Sequence, residues 1–163
     1  MIKQEHYDID YFVRLLEAYL QKDPAIWKRI NIIFQHLKPS AEDIILETGC
    51  GQGTIAYELS KACRLVYAVD DSELAMQAAR KFLQERNDIT SKRVVLVKAD
   101  LRQLPFPSET FRKINYSEVI EHLNEPLEVL LELRRCMVPG GFLFLTTWPN
   151  SAHLVYRWTE NSP

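Results

Sequence analysis

The chain has few cysteines: three in 163 residues, Cys50, Cys63 and Cys136, odd in number and with no C-x-x-C pairing. That argues against a disulfide framework and against a zinc site. Long hydrophobic runs are missing too, so neither a transmembrane helix nor a secretory leader is expected, and the expected location is cytoplasmic. Charge of one sign is not in excess. The 20 Lys and Arg against 22 Asp and Glu leave a formal charge of -2, which provides no electrostatic footprint for a nucleic-acid partner. There are no internal repeats and no low-complexity stretches. Glycine is scarce, yet three of the five glycines fall at alternate positions, Gly49, Gly51 and Gly53. Apolar residues, by contrast, are plentiful. At 47% hydrophobic, the chain is long enough for one domain with a real core and short for two. The expected division is a helical cap over 1–39, a core over 40–150 and a short C-terminal segment over 151–163.

Two helices are expected over residues 8–37, broken at Asp23-Pro24, where Pro24 suits a first helical turn. Phe12, Leu15, Leu16 and Tyr19 share a face in the first, and Ile26, Ile30, Ile33, Phe34 and Leu37 in the second. Trp27 and His36 read as packing or surface residues. Strand and helix then alternate. Strands are expected at 44–48, 65–69, 94–97, 113–116 and 142–147, and helices near 54–63, 73–87 and 126–137. The Val94–Val97 run reads as a strand buried on both faces. Leu127, Leu130, Leu131 and Leu133 form the expected core side of the last helix, which Pro139-Gly140-Gly141 breaks. Strict alternation implies right-handed crossovers and a parallel sheet with helices on both faces, an α/β fold of Rossmann-like type that binds ligands at the carboxyl ends of its strands.

Four of those strand ends carry an acid or a glycine loop. Ile44-Ile45-Leu46-Glu47 delivers a strand into Thr48-Gly49-Cys50-Gly51-Gln52-Gly53. Glycine there permits positive φ and close approach of backbone to a ligand, and Glu47 places an acid beside it. The spacing is neither the dinucleotide fingerprint nor a P-loop, since no Gly-Lys-Ser/Thr follows. The loop by itself fits either a nucleoside-like ligand or a tight structural turn. An acid about twenty residues further on is placed to accept from a ribose diol. Asp70 is the candidate and Asp71 the alternative, which also reads as a helix-start residue. Asp100 is placed either to accept from an exocyclic amine, with the Leu101 N–H near a ring nitrogen, or to cap a loop.

Together these residues resemble the class I S-adenosylmethionine-dependent methyltransferases over about residues 40–150. Glu47-x-Gly49-x-Gly51-x-Gly53 matches the first motif, Val69-Asp70 with Ser72 the second, and Ala99-Asp100-Leu101 with Leu104-Pro105-Phe106 the third. Ser117-Glu118-Val119-Ile120-Glu121-His122-Leu123 and Val138-Pro139-Gly140-Gly141 are similar to the fourth and fifth. The resemblance implies a sheet of order 3-2-1-4-5 preceded by two N-terminal helices that cap the ligand end. It also implies S-adenosylmethionine as cofactor, S-adenosylhomocysteine as product, and methyl transfer to a small-molecule acceptor. The implied cofactor-binding residues are Glu47, Gly49, Cys50, Gly51, Gly53, Asp70, Asp71, Asp100, Leu101 and Ser117. His122 is the candidate base, because an imidazole suits deprotonation of an acceptor hydroxyl.

Two alternatives remain. One is a module that binds the nucleoside or a protein partner without catalysis. The other is a metal-dependent RNA 2′-O-methyltransferase, since Glu118, Glu121 and His122 resemble its Glu-x-x-Glu-His cluster, with His153 as a conceivable fourth ligand; metal binding is not the expectation. The chain departs from the family pattern at Phe111-Arg112, where an aspartate usually follows the phenylalanine, and after the fifth strand, where an antiparallel pair usually follows. An exposed fifth-strand edge is therefore expected. It fits a truncated chain, a second copy or partner covering the edge, or a short variant, with Val155, Tyr156 and Trp158 as cover.

Overall fold

The computed structural model describes residues 8–147 and the backbone of residues 153–157. Helix α1 (Ile9–Leu20) starts where the Asp8 side chain accepts from the Tyr11 N–H at 2.8 Å. Helix α2 (Pro24–Leu37) starts at Asp23, whose carboxylate accepts from Ala25 and Ile26, with Pro24 in the first turn. Such caps satisfy N–H groups that have no partner within the helix. The remainder runs β1 (Ile44–Thr48), α3 (Thr54–Ser60), β2 (Leu65–Asp70), α4 (Glu73–Arg86), β3 (Val94–Lys98), β4 (Phe111–Ser117), α5 (Pro126–Cys136), β5 (Met137–Thr146) and β6 (His153–Arg157).

The sheet order is β3-β2-β1-β4-β5-β6. The first five strands are mutually parallel, in the expected order 3-2-1-4-5. One face packs Ile45, Val66, Ala68 and Phe144 against α1, α2, α3 and α4, through Tyr19, Ile33, Leu37, Leu59 and Phe82 among others. The other face packs Leu46, Val69, Ile114, Tyr116 and Leu145 against Val129, Leu133 and Cys136 of α5. The alternation follows from the two-residue period of strand side chains. Within this frame Trp27 stacks on Tyr19 at 5.7 Å, and His36 stacks on Phe144 at 5.4 Å, so both have packing roles. Cys50, Cys63 and Cys136 are all buried free thiols. Among the described residues, no helix is long and apolar enough to cross a membrane.

Four expectations are corrected. The β5 edge is not bare: residues 153–157 pair with it antiparallel, from Phe142 opposite Arg157 to Thr146 opposite His153. This satisfies the row of backbone groups an edge strand leaves open. The side chains of Val155 and Tyr156, all of Trp158, and the His153 imidazole lie outside the described residues. Strand β3 is the opposite edge and is only half covered, with Val95 39% exposed. The leucines of α5 do not all face the core. Val129, Leu133 and Cys136, at i, i+4 and i+7, are buried, whereas Leu127 and Leu131 are 66% and 54% exposed. Finally, β5 begins at Met137 directly after α5, paired opposite Phe111, so Pro139-Gly140-Gly141 lies within the strand.

Helix α1 is anchored by Tyr19. Its hydroxyl donates to the buried Glu58 of α3, its ring meets Phe82 edge-on at 5.8 Å, and its carbonyl accepts from Trp27 Nε1. Anchored there, α1 brings Tyr11, Phe12 and Leu15 to the cavity that Gly51 also borders.

Candidate functional site

The loop after β1 turns tightly. Gly49, Gly51 and Gly53 have φ of 64°, 52° and 80°, a region that L side chains enter at a cost. Space is the further constraint at Gly49, where a Cβ would stand 2.3 Å from Val119 Cγ2. At Gly51 the nearest atom, Phe12 Cε1, would be 3.8 Å away, so φ alone selects glycine there. Gly53 caps α3 and packs against Ala79 of α4, outside the cavity lining.

Asp70, at the end of β2, ties this loop to the next helix. Its Oδ2 accepts from the Gly51 N–H at 2.9 Å and its Oδ1 from the Ser72 N–H at 3.0 Å. Burial raises its pKa, and the two N–H groups oppose that shift. Each carboxylate oxygen keeps a further lone pair for a ligand hydroxyl. Asp71 lies beside it, half buried, its pKa also raised by burial. Asp100 reaches the same cleft, but Arg102 grips its carboxylate, with Nη2 2.6 Å from Oδ2 and the Arg102 N–H 2.9 Å from Oδ1. That guanidinium holds the Asp100 pKa low.

Two adjoining hollows meet at Gly49, Asp70, Asp71 and Val119. The smaller, about 60 Å³, lies between Asp100 and the apolar side chains of Leu101, Leu123 and Val129. The larger, about 750 Å³, is walled by Cys50, Gly51 and Ser117 from the strand ends, by Glu118, Glu121 and His122, and by Tyr11, Phe12, Leu15 and Arg29 from the helices. That volume lies within the span usual for small-molecule sites.

Glu47 lies beneath the larger hollow rather than on its surface. It is 2% exposed and accepts from Asn115 Nδ2 at 2.6 Å, while the Ser117 hydroxyl donates to Asn115 Oδ1 at 3.1 Å. Burial pushes the Glu47 carboxyl up to about 8, opposed by Asn115 and by the nearby Arg29. Two polar atoms close to this network, Arg29 Nε and Thr146 Oγ1, are buried without a partner among the described residues. Buried polar groups are nearly always satisfied, and Arg29, which lines the cavity, has in Nε a donor that the described residues leave unused.

The cofactor and base residues expected from the sequence thus gather at one end of the sheet, with Glu47 and Gly53 beneath the hollow. Glu118, Glu121 and His122 share the cavity wall, yet among the described residues no three His, Cys, Asp or Glu side chains are arranged to hold a metal ion. The sequence reading missed Arg29, Tyr11, Phe12 and Asn115. For Arg29 there was a signal: it lies on the apolar stripe of α2, three residues after Ile26 and four before Ile33, where a charge needs a reason to be.

A parallel sheet with a glycine loop, a second-strand acid and a third-strand acid all opening onto one cleft defines a nucleoside-binding α/β domain of the methyltransferase class. Residues 46–145 match the methyltransferase domain model. The chain belongs to that family, the class I S-adenosylmethionine-dependent methyltransferases. It is 27% identical over 120 residues to the ubiquinone biosynthesis O-methyltransferase of Histophilus somni, covering 73% of this chain and 50% of that protein. It is 30% identical over 125 residues to the tRNA U34 carboxymethyltransferase of Vibrio cholerae, covering 74% of this chain and 36% of that one. The chain therefore spans about half the length, or less, of the curated relatives it matches. Among solved structures, a SAM-dependent methyltransferase from Aquifex aeolicus superimposes with a TM-score of 0.73 at 22% identity, over 96% of this chain and 78% of that one.

Proposed function

We propose that this domain binds S-adenosylmethionine in the paired hollows and transfers its methyl group to a small-molecule acceptor. The observation that carries the reading is the convergence of the glycine loop, the Asp70 carboxylate, the Asp100–Leu101 slot and the unpartnered Arg29 Nε on one continuous cleft. Arg29 takes the carboxylate of the methionine portion, and Glu47, held by Asn115, lies beneath its ammonium. Asp70 accepts from the ribose hydroxyls, with Asp71 next to it. The adenine enters the slot by Leu101, where Asp100 shares its carboxylate between Arg102 and the exocyclic amine. Cys50, Gly51 and Ser117 bound the space between the two ends.

The bound cofactor supplies a methyl group already activated by its sulfonium. The chain's work is to position the acceptor in line and exclude water. Tyr11 and Phe12 of α1 close the site from above, and His122 stands on the wall as the proton acceptor. A cavity of about 750 Å³ fits a small molecule, and the Histophilus somni relative is a ubiquinone biosynthesis O-methyltransferase. Its many carboxylates oppose a polyanionic acceptor such as RNA. Calorimetric titration with S-adenosylmethionine and S-adenosylhomocysteine tests the reading. Saturable one-site binding of both is expected, and no heat from either ligand would refute it.

A further inference from the structure

We infer that the acceptor is a small organic amine, bound as a cation and methylated on nitrogen, an inference that rests on the cofactor site proposed above. The larger hollow is lined by charges of both signs. Arg29, close to the buried Glu47, keeps an Nε with no partner among the described residues, the place proposed above for the cofactor's carboxylate. Glu118 and Glu121 line the same hollow. Tyr11 borders it too, its hydroxyl pKa raised by burial, with Arg29 lowering it and Glu121 raising it.

Glu118 is pinned by its backbone: φ is 57°, and its N–H donates to the Thr146 carbonyl at 3.0 Å. Its carboxylate has no ion-pair partner among the described residues. Glu121 Oε2 accepts from the Thr147 hydroxyl at 3.3 Å. Tyr11 and Phe12 sit edge to face, 5.4 Å apart, on the same cavity. A cation is attracted both by carboxylates and by aromatic ring faces. The described lining contains no lysine, and Arg29 is the only arginine bordering the larger hollow. Once the cofactor's carboxylate has taken Arg29, an anionic acceptor would face Glu118 and Glu121 with no arginine or lysine on the wall to offset them.

The chemistry suits that wall. The bound ammonium gives one proton to His122, and the free nitrogen lone pair then attacks the methyl carbon. The C–S bond breaks with its electron pair going to sulfur, yielding a neutral thioether. The positive charge moves from sulfur to the N-methylated nitrogen, so no anion forms beside the carboxylates.

The test uses protein saturated with S-adenosylhomocysteine and three probes of matched size: benzylammonium, benzyl alcohol and benzoate. Calorimetry should show benzylammonium binding about ten-fold or more tighter than either of the others. In Glu118→Gln/Glu121→Gln, with S-adenosylhomocysteine affinity retained, that preference should collapse. Equal binding of the three probes, preference for benzoate, or no binding of any would overturn the proposal while leaving the cofactor site standing. Failure of S-adenosylhomocysteine itself to bind would remove both. If the double variant does not fold, the wild-type ranking still decides. A second arm incubates the protein with S-adenosylmethionine and a panel of matched amines, phenols and carboxylic acids. Mass-spectrometric fragmentation should place the new methyl on nitrogen, and methyl on oxygen would overturn the inference.

Discussion

Substituting Gly49→Ala isolates what the first glycine of the loop contributes. The new Cβ would lie 2.3 Å from Val119 Cγ2 and 3.3 Å from Cγ1, on a residue whose φ is 64°. Two costs follow. Holding alanine in the left-handed region costs roughly 1–2 kcal/mol, and forcing a methyl into filled space costs typically about 1–3 kcal/mol. The sum, about 2–5 kcal/mol, is a large part of the 5–15 kcal/mol that holds a typical domain together. Only the second cost depends on Val119, which is buried at 6% exposure and walls both hollows. Val119→Ala should therefore restore about 1–3 kcal/mol in the Gly49→Ala background, although alone it destabilises by leaving a void. Urea denaturation of the wild type, both single variants and the double variant measures this coupling. If the two effects add within about 0.5 kcal/mol, the clash is not what excludes a side chain at position 49.

Glu47→Gln tests the buried acid. The folded-state carboxyl titrates near 8 against an unfolded value near 4.5, so its contribution is fully present below the lower value and is lost as pH rises toward the upper one. Wild-type stability should fall relative to Glu47→Gln by about 1.4 kcal/mol per pH unit between roughly pH 5 and 8, read by urea midpoints; a pH-independent difference contradicts the burial argument. Arg29→Met keeps the aliphatic stem and should weaken S-adenosylhomocysteine binding about 10- to 100-fold, in keeping with a hydrogen-bonded charge pair. Affinity for 5′-methylthioadenosine, which lacks the amino-acid end, should not change, and equal losses for the two ligands would remove Arg29 from the carboxylate. On α5, Leu133→Ala should cost about 2–5 kcal/mol by opening a cavity, whereas Leu127→Ser and Leu131→Ser should each stay within about 0.5 kcal/mol. The reverse ranking would show that the helix is rotated.

The elements whose local signals agreed were legible in advance. Asp23-Pro24 ended one helix and started another, and Ser72 opened α4, because caps and proline act over three or four residues. β1, β2 and the loop between β1 and α3 were also readable, since an apolar run ending in an acid and spaced glycines has few other uses. α5 misled because a leucine count cannot set the phase of a helix: Val129, Leu133 and Cys136 face the sheet, and two leucines do not. Strand β3 misled because an apolar run reads alike at a sheet's centre and at its edge. Val95 is 39% exposed because no strand follows on that side among the described residues.

The sequence by itself determined the class of fold and the acids at the strand ends, because these follow from periodicity, punctuation and chain direction, and the strand order came with the family resemblance. Tertiary structure alone decided how those groups are used. Asn115 and Ser117 hold Glu47 beneath the loop, Arg102 occupies Asp100, Arg29 comes down from a helix that precedes the sheet, and residues 153–157 close the β5 edge. The physical reason is range. Caps and turns act between neighbours in the chain, whereas burial, charge pairing and the shape of a cavity arise between residues that only folding brings together.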